Sequence, residues 1–92
     1  MEFIKSKKYQ LVDINDIIIS GLVATVFDII DVKGVPHVAF IIEDSQGGSR
    51  SFFEPVETDD EGNQEIILDE MNEKLEFNVP CYAVVIKAAY PV

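Results

Sequence analysis

Carboxylates are the most abundant chemically active side chains in this sequence, and they are concentrated in one segment. The chain has 92 residues, with 17 acidic and 7 basic side chains and a net charge of −10. Twelve of the acids lie in residues 43–76, which contain only two bases, so this third of the chain carries the whole imbalance. Such a segment is either a solvated surface that keeps the protein soluble or a face that attracts a basic partner.

Half of these acids surround one predicted hairpin tip. They are Glu54, Glu57, Asp59, Asp60, Glu61 and Glu65. Three of them are consecutive, and like charges packed so closely repel one another, which a purely structural turn does not require. We therefore expect these six acids, together with the neighbouring aromatic Phe53, to form the surface that binds a basic protein partner.

The same turn resembles a calcium-binding loop only in part. Residues 57–63 place oxygen ligands at alternate positions before Gly62. An EF-hand loop requires a bidentate glutamate at its twelfth position, which is Leu68 here. Because Asp and Gly are also the residues that tight turns need for their backbone, the pattern favours a turn over a metal site.

The sequence lacks the residues that catalysis and metal binding usually require. The chain has a single histidine, His37, and a single cysteine, Cys81, which follows a proline inside an apolar run typical of a buried thiol. One of each is too few for a structural zinc site. No nucleotide-binding, metalloprotease or nucleophile-elbow motif is present. We therefore predict no enzymatic activity, no metal site and no cofactor.

The net charge and the lengths of the apolar runs argue against binding to nucleic acid and against insertion into a membrane. Nine aromatic residues accompany only seven bases, so direct binding to nucleic acid is disfavoured by the negative field. The longest uncharged stretch, residues 17–27, is shorter than the ~20 residues of a membrane helix. The beginning of the chain does not resemble a signal peptide. We expect a cytoplasmic protein that does not interact with membranes.

The strongest structural pattern is a β-hairpin over residues 22–42. Two runs rich in β-branched and aromatic residues flank a turn with Gly34 and Pro36. Simple alternation over 22–31 puts Val23, Phe27 and Ile29 on one face and Leu22, Val26 and Ile30 on the other. Since both faces are apolar, we expect a central strand buried on both sides. The second strand is predicted at 37–43.

Further strands follow from the same patterns. We predict strands at 9–12, 50–57, 64–68 and 79–89, with Pro55 marking a sheet edge or a bulge. Residues 13–18 fit a single helical turn or an extended chain equally well. A short helical turn is predicted within 69–76, and the alternative is one helix over 64–76. Phe52 and Phe53 point to opposite faces, so either their strand is buried on both sides or one ring is an exposed interface anchor.

These elements predict a mostly β fold with one short helical turn. The order of the strands resembles a small SH3-type antiparallel barrel, with an OB-type barrel as the alternative. A partly ordered arm over 1–8 precedes a single domain over 9–92. We expect Val26, Phe40 and Val84 to be buried together in its core.

The functional expectation is a small acidic protein-binding module. Its negative surface suits a modulator or inhibitor of a basic, nucleic-acid-handling protein, a role compatible with a phage or other mobile element. The apolar content of 48% favours self-association, so a homo-oligomeric assembly subunit is an alternative. A small-ligand binder at a subunit junction is a third hypothesis.

Overall fold

The protein folds into a single curled antiparallel sheet. The computed structural model describes residues 1–68 and 83–92. Its strands are β1 (Lys8–Asp13), β2 (Ile18–Val32), β3 (Val35–Asp44), β4 (Ser49–Pro55), β5 (Glu57–Thr58), β6 (Gln64–Leu68) and β7 (Val84–Pro91). They are hydrogen-bonded in the order β4-β3-β2-β1-β7-β6-β5.

The connection between β4 and β5 forces the sheet to curl. These strands lie at opposite edges of the sheet, yet only Val56 separates them in the chain. Both edges must therefore meet at one corner, which gives a half-barrel. The Val56 backbone N–H donates to the Pro36 carbonyl at 2.9 Å and fixes this corner to β3.

The concave side of the half-barrel holds the core. Val26, Phe40 and Val84 are fully buried in one cluster, which confirms the predicted core. Val26 lies opposite Phe40 across β2 and β3. Phe40 in turn lies opposite Phe52 on β4, with the two rings stacked at 5.3 Å between centroids. Phe40 therefore joins three adjacent strands by side-chain packing.

The predicted hairpin over 22–42 is confirmed, with longer strands than expected. β2 begins at Ile18 and passes through Gly21 at a φ of 86°. Val32 and Val35 close the hairpin around Lys33 and Gly34, which both have positive φ, as a two-residue turn that matches strand twist requires. Among the described residues, the part of the hairpin beyond Phe27 pairs with β3 alone and forms an arm at the end of the barrel.

Other predicted elements are confirmed in part. The strand at 64–68 is present, which makes a single helix over 64–76 wrong in its first part. The strand predicted at 50–57 is split at Val56 into β4 and β5, and Pro55 ends an edge strand as expected. The closing strand occupies Val84–Pro91, and residues 79–82 of the predicted strand lie outside the described part.

The expected helical turn and the named barrel types lack support. Residues 1–68 and 83–92 contain no helix, and the turn predicted within 69–76 lies outside the described residues. Residues 14–17 form a loop in place of a helical turn, because the Asp13 carboxylate accepts from the N–H groups of Asn15 and Ile17 at 2.8 and 3.0 Å. The half-barrel does not confirm an SH3-type or OB-type assignment.

The first residues of the chain pack onto the same barrel. Phe3 is buried and meets the ring of Tyr9 edge to face, with centroids 5.0 Å apart. The Phe3 N–H donates to the Gln64 side-chain oxygen at 2.8 Å, and the Gln64 N–H donates to the Met1 carbonyl at 2.9 Å. Phe3 thus belongs to the core cluster.

Candidate functional site

The convex side of the arm carries a set of exposed apolar side chains. We call it the arm face, and its members are Phe27, Ile30, Val32, Val35 and Phe53. Cross-strand partners share one side of a sheet, and the pairs Ile30–His37, Val32–Val35 and Ala39–Phe53 place Ile30, Val32, Val35 and Phe53 on the side opposite the core. Phe27 is exposed at the point where the register of β2 and β3 shifts. Phe53 is 49% exposed and Ile30 is 43% exposed. Three adjacent strands therefore contribute to one apolar surface.

A β-bulge at Phe27 creates this surface. The register between β2 and β3 shifts between Val26 and Asp28, so Phe27 has no partner on β3. A one-residue shift moves every later side chain to the other face. Ile30 consequently lies opposite His37 on the convex side, where simple alternation from Val26 had placed it in the core. The prediction of a strand buried on both faces is wrong, because Leu22, Ala24 and Val26 are buried while Val23 and Thr25 on the other face are only half-buried, and the strand is more exposed beyond Val26.

Phe53 is held in a defined orientation on the arm face. Its ring stacks on the His37 imidazole, with centroids 5.1 Å apart and an interplanar angle of 24°. The His37 Nδ1 lies 3.0 Å from the Val35 carbonyl oxygen, which orients the imidazole. Of the two alternatives for this strand, the structure shows Phe52 half-buried and Phe53 exposed. A pre-oriented ring loses little conformational entropy when a partner covers it.

The predicted acidic residues do not form one group. Glu54 lies on the core side of β4, opposite Val38, and so faces away from Phe53. Glu57 and Glu65 are partners across β5 and β6, and Asp60 and Glu61 are exposed in the turn that joins those strands. The structure thus separates the β4 residues from the acids of the β5–β6 hairpin.

Three carboxylates from distant parts of the chain surround one lysine. The Lys87 ammonium lies 3.7 Å from Asp16, 3.8 Å from Asp59 and 3.8 Å from Glu65. We call these four residues the Lys87 cluster. The ammonium also lies 5.8 Å from the ring centroid of Tyr90, whose hydroxyl donates to Asp16. Sequence reasoning missed this cluster, because nothing in the local sequence of residues 16 and 87 relates them to the acidic turn.

The cluster shifts the pKa of its members. Partial burial raises the pKa of Glu65, although Lys87 opposes this effect. Partial burial disfavours the charge on Lys87, but the carboxylates of Asp16, Glu65 and Asp59 together outweigh it and raise the pKa of Lys87. The hydrogen bond to Asp16 raises the pKa of Tyr90, because it stabilises the protonated phenol. The cluster is thus most stable with Lys87 charged and Tyr90 neutral.

Asp59 is a structural residue of its turn. Its Oδ1 accepts from the N–H groups of Glu61 and Asn63, both at 2.9 Å. The bond from Asn63 is the main reason that the pKa of Asp59 is lowered. The idea that no turn needs these acids is therefore wrong for Asp59. Its carboxylate oxygen is directed at backbone donors, which agrees with the turn interpretation of residues 57–63 over the calcium interpretation.

The same turn occurs three times in the fold. Asp13, Asp44 and Asp59 each accept from the N–H groups two and four residues later. The residue three positions later has positive φ in each case, and it is Asp16, Gly47 and Gly62 respectively. Asp16 is thus the one side chain at a position where the other two turns use glycine. Its contacts with Lys87 and Tyr90 offset the conformational cost of that φ.

A second group of exposed apolar side chains lies at the loop between β1 and β2. It consists of Ile14, Ile17 and Ile18. These residues come from one loop and its continuation, whereas the arm face draws on three paired strands and presents a broader surface. Ile14, which is 73% exposed, is useful as a matched control for residues of the arm face.

Metal ligation, membrane-spanning helices and relatives give no further indication of function. Within residues 1–68 and 83–92, no group of three or more His, Cys, Asp and Glu side chains is arranged to hold a metal ion. The same residues include no helix long and apolar enough to cross a membrane. Comparison with known protein families, curated proteins and solved structures finds no match for this chain.

Proposed function

We propose that this protein is a small binding module that docks a basic protein partner on the arm face. The observation that carries this proposal is the exposure of Phe53, Ile30 and Val35 on one side of three paired strands, with the Phe53 ring already oriented by His37. Groups of exposed large apolar side chains on one surface often mark a protein-binding site. Buried aromatic anchors supply much of the energy of protein interfaces.

Charge determines the chemistry of the partner. The chain carries a net charge of −10, and the β5–β6 turn adds exposed Asp60 and Glu61 to the acids of the Lys87 cluster. Glu57 follows Phe53 by four residues, so their Cα atoms are at most about 14 Å apart. A partner seated on Phe53 is therefore within reach of Glu57, at the start of the β5–β6 hairpin. Basic side chains beside an apolar patch would complement both features and speed encounter.

A protein that handles nucleic acid has such a surface. Its binding face is basic so that it can neutralise phosphates, and it often includes aromatic or apolar side chains that stack on bases. A module that covers this face would act as a modulator or inhibitor of nucleic-acid binding. We also propose that the half-barrel is related to an SH3-type or OB-type barrel. The proposed function does not depend on this assignment.

Affinity capture from native host cells tests the proposal when it is combined with matched variants. Wild type, Ile30→Ser and Ile14→Ser are compared as baits, because the two substitutions are chemically identical and both positions are exposed. The captured protein is then purified, and its direct binding is measured at low and high salt. We expect a basic partner whose affinity falls at high salt and falls at least about tenfold with Ile30→Ser, as for an interface anchor.

The control defines what would contradict the proposal. Ile14→Ser should bind like wild type, because Ile14 lies in the β1–β2 loop and outside the arm face. Equal binding by all three proteins would exclude the arm face as the docking site. A partner that is acidic, or whose affinity does not respond to salt, would contradict the electrostatic part of the proposal.

A further inference from the structure

Strand β4 forms one edge of the sheet, and some of its backbone N–H and C=O groups point away from the sheet. Among the described residues it pairs only with β3, in a register that joins Arg50 to Ile42 and Glu54 to Val38. Two bonds at the ends of this register, Val56 N–H to Pro36 O and Asp44 N–H to Gly48 O, both join even-numbered residues. Hydrogen-bonded pairs recur at every second residue of an antiparallel ladder. The even-numbered residues of β4 therefore bond to β3, and the backbone groups of Ser51 and Phe53 point away from it.

The side chains of β4 have a symmetric arrangement about Phe52. Arg50 lies two residues before Phe52 and Glu54 lies two residues after it, and all three are on the same face of the strand. An antiparallel copy centred on Phe52 would place each Arg50 opposite Glu54 of the other chain. Opposite charges at facing positions stabilise a strand pair, and like charges at those positions destabilise it. The edge is thus complementary in charge to itself.

We infer that a second copy of this chain pairs with the protein through β4, in antiparallel register about Phe52. This arrangement is an isologous two-fold interface, in which the same strand serves both partners. The outward N–H and C=O groups of Ser51 and Phe53 would form the intermolecular ladder. Phe52 would face its counterpart between two Arg50–Glu54 pairs. The backbone pattern permits this axis, and the positions of Arg50 and Glu54 distinguish it from the other registers that the outward groups allow.

The charged groups of Arg50 and Glu54 can each engage more than one partner. Arg50 and Glu54 each already take part in an interaction within their own chain. A guanidinium has five N–H donors and a carboxylate accepts at two oxygens, so each can engage a second partner. Pro55 has no N–H, but it lies at the end of the strand where its outward position is tolerated. The paired sheet would place the two arm faces on the same side.

Charge reversal tests the register directly. We compare wild type, Arg50→Glu, Glu54→Arg and the double variant by sedimentation equilibrium over a range of micromolar concentrations. Wild type should reach twice the monomer mass of 10.3 kDa. Each single variant puts two like-charged pairs face to face, so its dimerisation should weaken by roughly tenfold or more. The double variant restores opposite charges at both positions and should dimerise like wild type.

A mixture of the two single variants gives the sharpest outcome. In that mixture both facing positions hold opposite charges, so the two proteins should form a heterodimer although each alone is monomeric. Ser51→Pro, which removes an outward N–H and keeps the bonds to β3, should also prevent dimerisation. Circular dichroism and thermal melts verify that each variant is folded.

Several results would overturn the inference. A wild-type protein that remains monomeric at the highest concentration excludes the dimer. Single variants that stay dimeric, or a mixture that fails to associate, exclude the register about Phe52. None of these measurements involves the basic partner, so the dimer and the proposed function can fail separately.

Discussion

Replacing Phe40 by alanine tests the architecture that supports the arm face. The Phe40 side chain is fully buried, lies opposite Val26 on β2 and stacks on Phe52 of β4. Removing such a ring costs about 3–5 kcal/mol, through lost burial and the cavity that remains. A chain of this length has a total stability of about 5–14 kcal/mol. Phe40→Ala should therefore remove about a fifth or more of the folding free energy.

The neighbouring aromatic residues make this prediction specific. Phe53→Ala, on the convex side of the adjacent strand, should cost less than about 0.5 kcal/mol, as exposed substitutions usually do. A double-mutant cycle between Phe40 and Phe52, with leucine at each, should give a coupling of about 0.5–1.5 kcal/mol. Urea melts monitored by circular dichroism measure all of these changes. A cost under 1 kcal/mol for Phe40→Ala would refute the register of β3 and β4. A cost for Phe53→Ala larger than that for Phe40→Ala would refute it as well.

Further predictions concern the turns and the Lys87 cluster. Asp59→Asn should lower the melting temperature at neutral pH, and the melting temperature of the variant should fall less on acidification than that of wild type. The reason is that the pKa of Asp59 is lowered in the fold, so its carboxylate stabilises the protein only while it is charged. Asp60→Asn is its control and should leave the melting temperature unchanged or higher; equal losses in both would contradict the structural role of Asp59. Because the pKa values of Lys87 and Tyr90 are raised in the folded protein, their contribution to the free energy of unfolding should be fully present below about pH 10. It should be lost as the pH rises through their folded-state pKa values. Lys87→Met should flatten this alkaline loss, and an unchanged pH profile would argue against the cluster. Gly34→Ala should cost about 1 kcal/mol in a urea melt, because its φ of 85° disfavours any side chain although the surrounding space is open, and a neutral effect would contradict the turn geometry.

Local patterns in the sequence predict much of the fold. The hairpin over 22–42 follows from β-branched runs around Gly34, and the strand at 64–68 follows from the run that ends at Leu68. Pro55 correctly marks an edge, since proline cannot donate to a ladder. The predicted burial of Val26, Phe40 and Val84 is also confirmed, because each of them lies on the apolar face of a predicted strand.

The arm face and the Lys87 cluster depend on information that local patterns do not contain. Alternation assumes an unbroken strand, so the bulge at Phe27 reverses the predicted positions of Ile29 and Ile30. The cluster joins residues 16, 59, 65 and 87 because Glu65 lies opposite Lys87 across β6 and β7 and two turns bring Asp16 and Asp59 to the same lysine, and only tertiary structure determines such contacts. The sequence predicts Phe53 beside acidic residues, whereas the structure places it with the apolar side chains of the arm and on the opposite face of β4 from Glu54.

Site-specific photo-crosslinking from the arm face tests the central claim most directly. A photoreactive amino acid is introduced at Val35, which lies at the tip of the arm opposite Val32, and at Ile14 as the control, in cells of the native host. We expect Val35 to form an adduct with a basic protein and Ile14 to form none with that protein. An adduct restricted to a second copy of this chain, equal adducts from both positions, or no adduct from Val35 would contradict a docking role for the arm face.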